Sequence, residues 1–198
     1  MTPFEPYHVD DKEQIDKAKS MSLAKEFLSD VSSGVEWDSI FVSSVLNSVP
    51  FLQDRKHVVK IISACCTQKT TVYAVASSEK QEAFATMKKQ YVSRLMLTKM
   101  LAGYEENVTL GDIQDKPKAQ KYHTPRMFYD LFKTAFGTVS VDYDAGVNVK
   151  AIAKDPLPID GLRSAIEFEF NLPYPDGTRM GLVDEAVAAF EKRLKVKL

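Results

Sequence analysis

Apolar residues along the chain recur at two periods, and the alternation between them sets an order of elements. Residues 13–30 carry Ile15, Ala18, Phe27, Leu28 and Val31 at helical spacing, and Ser32-Ser33-Gly34 ends the helix. In segment 37–46, WDSIFVSSVL, Ile40, Phe41 and Val42 stand in a row and Val45 and Leu46 follow. A run apolar on both faces predicts a buried central strand of a parallel sheet. Beyond Pro50, Asp54 to Cys65 reads as a helix with Asp54 as its cap and Val58, Ile61, Ile62 and Cys65 as its apolar face. Thr70 to Ala76, β-branched and aromatic, is a second strand. Strand, helix and strand in this order form a right-handed crossover unit.

Residues 79–102 read as helical, with Phe84, Met87, Tyr91, Leu95 and Met96 on one stripe. Residues 103–121 are looser and hold Gly103, Gly111 and Pro117, so 79–121 is expected to be a helical insertion over one end of the sheet. Thr124-Pro125 then opens a helix, Thr as N-cap and Pro at the first helical position. Met127, Phe128, Leu131, Phe132 and Ala135 are expected to face inward, with Gly137 as the stop. Strands 138–143 and 147–153 follow, joined by Asp144-Ala145-Gly146 as an antiparallel hairpin. Pro156 and Pro158 break the chain. Asp160 is expected to cap a helix through Phe170, and the Pro-Asp-Gly wording of 175–177 is a turn. A last helix runs from Leu182 to Leu194, with Val183, Val187, Phe190 and Leu194 as its buried face.

Composition narrows the class. The 198 residues are 44% hydrophobic and 27% charged, which excludes wholesale disorder. The net charge of −1 argues against binding nucleic acid mainly by counterion release. Charge is uneven, however, and residues 79–126 hold nine basic side chains against six acidic ones. No apolar run reaches the roughly 18 residues of a membrane span. MTPFEPYHVDD places acidic residues where a signal peptide needs basic and then apolar ones. The two cysteines, Cys65 and Cys66, are sequence neighbours, which excludes a disulfide framework and fits a reducing, cytoplasmic setting. No second Cys/His pair lies at zinc-finger spacing, so no metal site is expected.

The element order and three phrases together carry a resemblance. WDSIFVSSVLNSVPFLQDR, TTVYAVASS and KYHTPRMFYDLFKTAFGTVSVDY resemble the fourth strand with its following loop, the fifth strand, and the segment leading into the last hairpin of class I S-adenosylmethionine-dependent methyltransferases. The resemblance covers about residues 1–155, with 156–198 as appended C-terminal helices. It implies an α/β fold: an incomplete Rossmann-like methyltransferase sheet with an antiparallel terminal hairpin and a helical insertion. The family holds its cofactor on a Gly-rich turn, where only glycine lets the backbone approach the ligand. This chain has 8 glycines and no G-x-G. FEPY, residues 4–7, resembles the end of the family's second or third strand; if the second, Glu5 matches the acidic residue that bonds the ribose hydroxyls. The sequence is thus expected to begin after the cofactor loop, as a fragment or as a product lacking the first strand.

The resemblance implies that Ser43, Ser44 and Val45 flank S-adenosylmethionine, which this chain alone is expected to bind weakly or not at all. Asn47, at the carboxyl end of a parallel strand, would orient the substrate; its structural alternative is to cap a turn that Pro50 stiffens. In amino methyltransferases an Asn/Asp-Pro-Pro-aromatic loop stands there, and Asn-Ser-Val-Pro-Phe departs from it. His123 is the candidate base, although HTP also reads as a plain helix entry with His123 in a surface or capping role. Lys116, Lys118, Lys121 and Arg126, with Tyr122 between, could touch phosphate, or form only a solvated face. In the family the fourth strand pairs with the first. Without the first, 37–46 becomes an edge with unpaired backbone groups, so the MTPFEPYHV segment re-routed, a second copy or a protein partner is expected to cover it. Three readings follow: a methyltransferase-like protein without free-standing catalysis, a non-catalytic partner subunit, inhibitor or adaptor, and a nucleic-acid binder.

Overall fold

The computed structural model describes residues 2–9, 14–82, 84, 108–110 and 119–198. Most of the expected insertion, including Met87, Tyr91, Leu95, Met96, Lys116 and Lys118, lies outside the described residues. Contacts divide the chain into Trp37–Pro158 and a second unit made of Met1–Glu36 and Ile159–Leu198. The first 36 residues are therefore grouped with the last 40 rather than with the sheet.

In the sheet unit, β1 (Ser39–Ser43) and β2 (Thr71–Ser77) are parallel and joined by α2 (Leu52–Cys65), following α1 (Lys17–Ser32) of the other unit. β3 (Val108–Leu110) pairs antiparallel with β4 (Ala119–Lys121), which precedes α3 (Pro125–Lys133). β5 (Phe136–Asp144) and β6 (Asn148–Pro156) close the unit. The sheet order is β1-β2-β6-β5, with β6 antiparallel to both of its neighbours. The second strand of the hairpin thus inserts beside β2. The turn between them holds Ala145 at φ 51° and Gly146 at φ 74°, left-handed geometry that suits a tight hairpin.

One face of the sheet is the core. Val42, Val72, Ala74, Ala76, Val149, Ala151 and Ala153 point into it and meet Val59 of α2 and Phe128, Leu131 and Phe132 of α3. The small alanines on β2 and β6 let the large α3 rings approach the sheet. Phe128 meets Phe132 edge-on with centroids 5.1 Å apart, and Phe132 and Phe136 are tilted with centroids 6.2 Å apart. Thr124 Oγ1 accepts the Met127 N–H at 3.1 Å, so the expected cap of α3 is in place. The helix ends at Lys133, and Gly137 lies within β5 rather than stopping the helix.

The strand expected over 37–46 is corrected. Ser44 turns left-handed at φ 58°, ends β1 and starts a single 3-10 turn over Val45–Ser48. β1 is also not central: it stands at the sheet edge with only Val42 buried, and Phe41 is 75% exposed. The α2 cap is likewise Phe51, without a side-chain bond, and Asp54 sits inside the first turn. The buried face of α2 includes Val59, Ile61, Ala64 and Cys65, with Val58 and Ile62 partly buried.

In the second unit, α1 begins with Asp16, whose Oδ1 accepts the Lys19 N–H at 2.9 Å. It packs with α4 (Leu162–Glu169) and α5 (Val183–Leu194) around rings. Phe4 lies 4.8 Å from Phe27 and 5.4 Å from Phe170, and Phe27 stacks on Phe170 at 6.3 Å. Burying such rings at about 1.5–3 kcal/mol each explains why the chain ends come together. α4 is preceded by Gly161 at φ 68°, so Asp160 is not its cap. The buried face of α5 is Ala186, Ala189 and Phe190, rotated from the expected Val183, Val187 and Leu194, because α1 approaches closely over the alanines.

Candidate functional site

The carboxyl ends of β1 and β2 are where open α/β sheets place ligands. At β1 the Ser44 N–H donates to Val75 O at 2.9 Å, and the 3-10 turn carries Leu46 and Asn47 inward beneath β2. Asn47 is 7% exposed. Its Nδ2 donates to Ser77 Oγ at 2.9 Å, and its Oδ1 accepts the Ser77 N–H at 2.8 Å. Gln120 of β4 adds a donor to the same Ser77 Oγ at 3.1 Å. Arg55, buried on α2, donates through Nη1 to Val49 O at 2.8 Å and Pro50 O at 2.9 Å, fixing the loop after the turn.

His123 enters from the segment between β4 and α3. Its N–H donates to Ser77 O at 2.8 Å, and the Glu79 N–H donates to its carbonyl at 3.2 Å. The imidazole is 1% exposed, stands 5.2 Å from Phe128, and neither ring nitrogen has a partner among the described residues. The expected surface or capping role of His123 is therefore corrected: the backbone makes the helix entry while the ring is buried. Burial, with the Arg55 and Lys121 charges adding to it, lowers the imidazole pKa from its ordinary value to about 3. A ring held neutral so far below pH 7 is a weak general base.

Ser77 ties Asn47 and His123 together, Asn47 through side chains and His123 through backbone. Ser43, the last residue of β1, and Ser44 and Val45, which open the turn, are exposed. Glu5 belongs to the other unit, is exposed, and lies in irregular backbone just before a turn rather than at the end of a strand; its Oε1 accepts the Tyr7 N–H at 3.3 Å. Lys121 and Tyr122, expected on a phosphate-binding face, are instead buried, Tyr122 against Phe84 at 4.6 Å, and Arg126 pairs with Asp130 at 2.8 Å. The reading of the sequence missed Ser77 and Arg55; the polar Ser77-Ser78 pair closing an apolar strand was the available signal for the first.

Asn47, the side chain expected to orient a substrate, is bonded to Ser77. Cys65 is buried, and the Cys66 Sγ donates to Ile62 O at 3.2 Å. Among the described residues no group of three or more His, Cys, Asp or Glu could hold a metal ion, and no helix is long and apolar enough to cross a membrane.

Two parallel strands followed by an antiparallel hairpin, with its last strand inserted beside the second, make the sheet unit an incomplete Rossmann-like α/β fold. No family model and no curated protein matches the sequence. Among solved structures, the chain is similar to a SAM-dependent methyltransferase of Methanosarcina mazei at 16% identity, over 71% of this chain and 79% of that one, with a TM-score of 0.47. It is also similar to DhpI in a complex with SAM and HEP at 16% identity, over 69% of this chain and 64% of that one, with a TM-score of 0.40.

Proposed function

We propose that this chain is a methyltransferase-like protein that does not transfer methyl groups from S-adenosylmethionine by itself. The observation that carries the reading is the clasp of Asn47 on Ser77, which spends the substrate-orienting amide on the protein's own backbone and hydroxyl. The lack of any G-x-G in the 198 residues supports it. So does His123, whose ring is buried and neutral where a base would need access. A second reading, a non-catalytic partner subunit, inhibitor or adaptor, is favoured by the edge position of β1. Titration calorimetry with S-adenosylmethionine and S-adenosylhomocysteine tests the first reading. No heat of binding is expected from either ligand; saturable one-to-one binding of either would defeat it.

A further inference from the structure

We infer that β1 is a self-pairing edge, and that two copies of this chain join through it as an antiparallel, two-fold symmetric continuation of the sheet. The inference rests on the ladder of β1 and not on the cofactor reading, so a ligand result leaves it standing.

The direction of the backbone groups follows from two hydrogen bonds. The Thr71 N–H donates to Asp38 O and the Ser44 N–H donates to Val75 O, each at 2.9 Å. In a parallel ladder such residues alternate, so Ile40 and Val42 also address β2. The N–H and C=O groups of Ser39, Phe41 and Ser43 therefore point away from the sheet. Among the described residues no strand pairs with that side. The usual protection of an edge is missing as well: Ser39–Ser43 contains no charge, no proline and no bulge.

The occupant follows from self-complementarity. An antiparallel copy centred on Phe41 sets Phe41 opposite its twin and Ser39 opposite Ser43. All three carry outward groups, so each facing pair exchanges both bonds, about six in total. The same register sets Ile40 opposite Val42 on the core face. The paired residues Ser39–Ser43 carry no charge, and the two copies of Asp38 stand at opposite ends of the ladder, so no like charges meet. On the outer face, Phe41 already stacks on Tyr73 at 5.4 Å, and both are exposed. Pairing sets two such stacks side by side, an aromatic ladder across the axis. A single patch meeting itself closes the assembly at two copies.

Sedimentation velocity of the full chain over a roughly hundredfold concentration range tests this. The expected result is reversible conversion of monomer to dimer. Phe41→Lys sets two like charges at the axis and should weaken the dimer by at least roughly tenfold. Ser43→Pro removes an outward N–H and should act in the same direction. Ile152→Lys, on the outer face but on β6, should leave the dimer intact. Far-UV circular dichroism checks that each variant stays folded. A monomer at every concentration overturns the inference. So does a dimer that both folded edge variants leave unchanged, or one that Ile152→Lys alone dissociates, since that would be face-to-face association.

Discussion

Asn47 and Ser77 hold each other at two points: the Asn47 amide gives a hydrogen to the Ser77 hydroxyl and takes one from the Ser77 backbone. The pair joins the turn after β1 to the last residue of β2. Both residues are buried, so neither bond is easily replaced by water. Asn47→Ala should cost about 2–4 kcal/mol, because it strands a backbone donor and removes a partner of the hydroxyl. Asn47→Asp keeps the acceptor for the Ser77 N–H and should cost less than the alanine change. Urea unfolding of the variants measures both. A cost near zero for Asn47→Ala would return the amide to the role of a free ligand-facing group.

His123 predicts a pH dependence. Its folded pKa, about 3, lies below the ordinary value of 6.5 that the unfolded chain is expected to keep. The unfolded state therefore takes up the proton first as pH falls. The stability that the neutral ring contributes is fully present above about pH 6.5 and is lost progressively towards pH 3. Within that window the slope approaches about 1.4 kcal/mol per pH unit. His123→Phe keeps a ring against Phe128 and removes the titration. The difference in stability between the two proteins should shrink, then reverse in sign or favour the variant, as pH is lowered from 7 to 4. A difference constant with pH would mean that the imidazole reaches solvent.

Thr124 is a local test of α3. Its hydroxyl satisfies one of the free amides at the helix start, so Thr124→Ala should cost about 1 kcal/mol. Thr124→Ser keeps the acceptor and should cost only a fraction of that. Because α3 carries Phe128 and Phe132 into the core, the loss should appear in global unfolding by denaturant rather than as local fraying. Equal costs for the two variants would contradict a capping role.

Features set by nearby residues were legible in the sequence. Thr124-Pro125 marked the α3 start because the cap needs only a hydroxyl and a ring at adjacent positions. The hairpin between β5 and β6 was readable from Ala145-Gly146 and the alternation on either side. Features set by distant packing were not. Val45 and Leu46 continue the apolar run of β1, but Ser44 reverses the backbone and places Leu46 in the core by way of a turn. The edge position was foreseen as a consequence of a missing neighbour, whereas burial of both faces was not found, since Phe41 is exposed. Alanines 186 and 189 replaced the larger valines on the buried face of α5 because close helix approach rewards small side chains. For the site, Asn47 was singled out from its place at a strand end. Its partner Ser77 lies 30 residues away, and no spacing rule links the two. Burial of His123 depends on the pairing of its backbone with Ser77 and Glu79, which local helix-entry signals do not report.

The thermal midpoint of the purified chain with and without S-adenosylhomocysteine is the most direct measure of the central claim. A ligand at about 100 times its dissociation constant adds about 2.7 kcal/mol to the stability of a protein that binds it only when folded. Occupation of the strand ends by Asn47 and Ser77 predicts an unchanged midpoint at every ligand concentration. A midpoint that climbs with the logarithm of ligand concentration would contradict it.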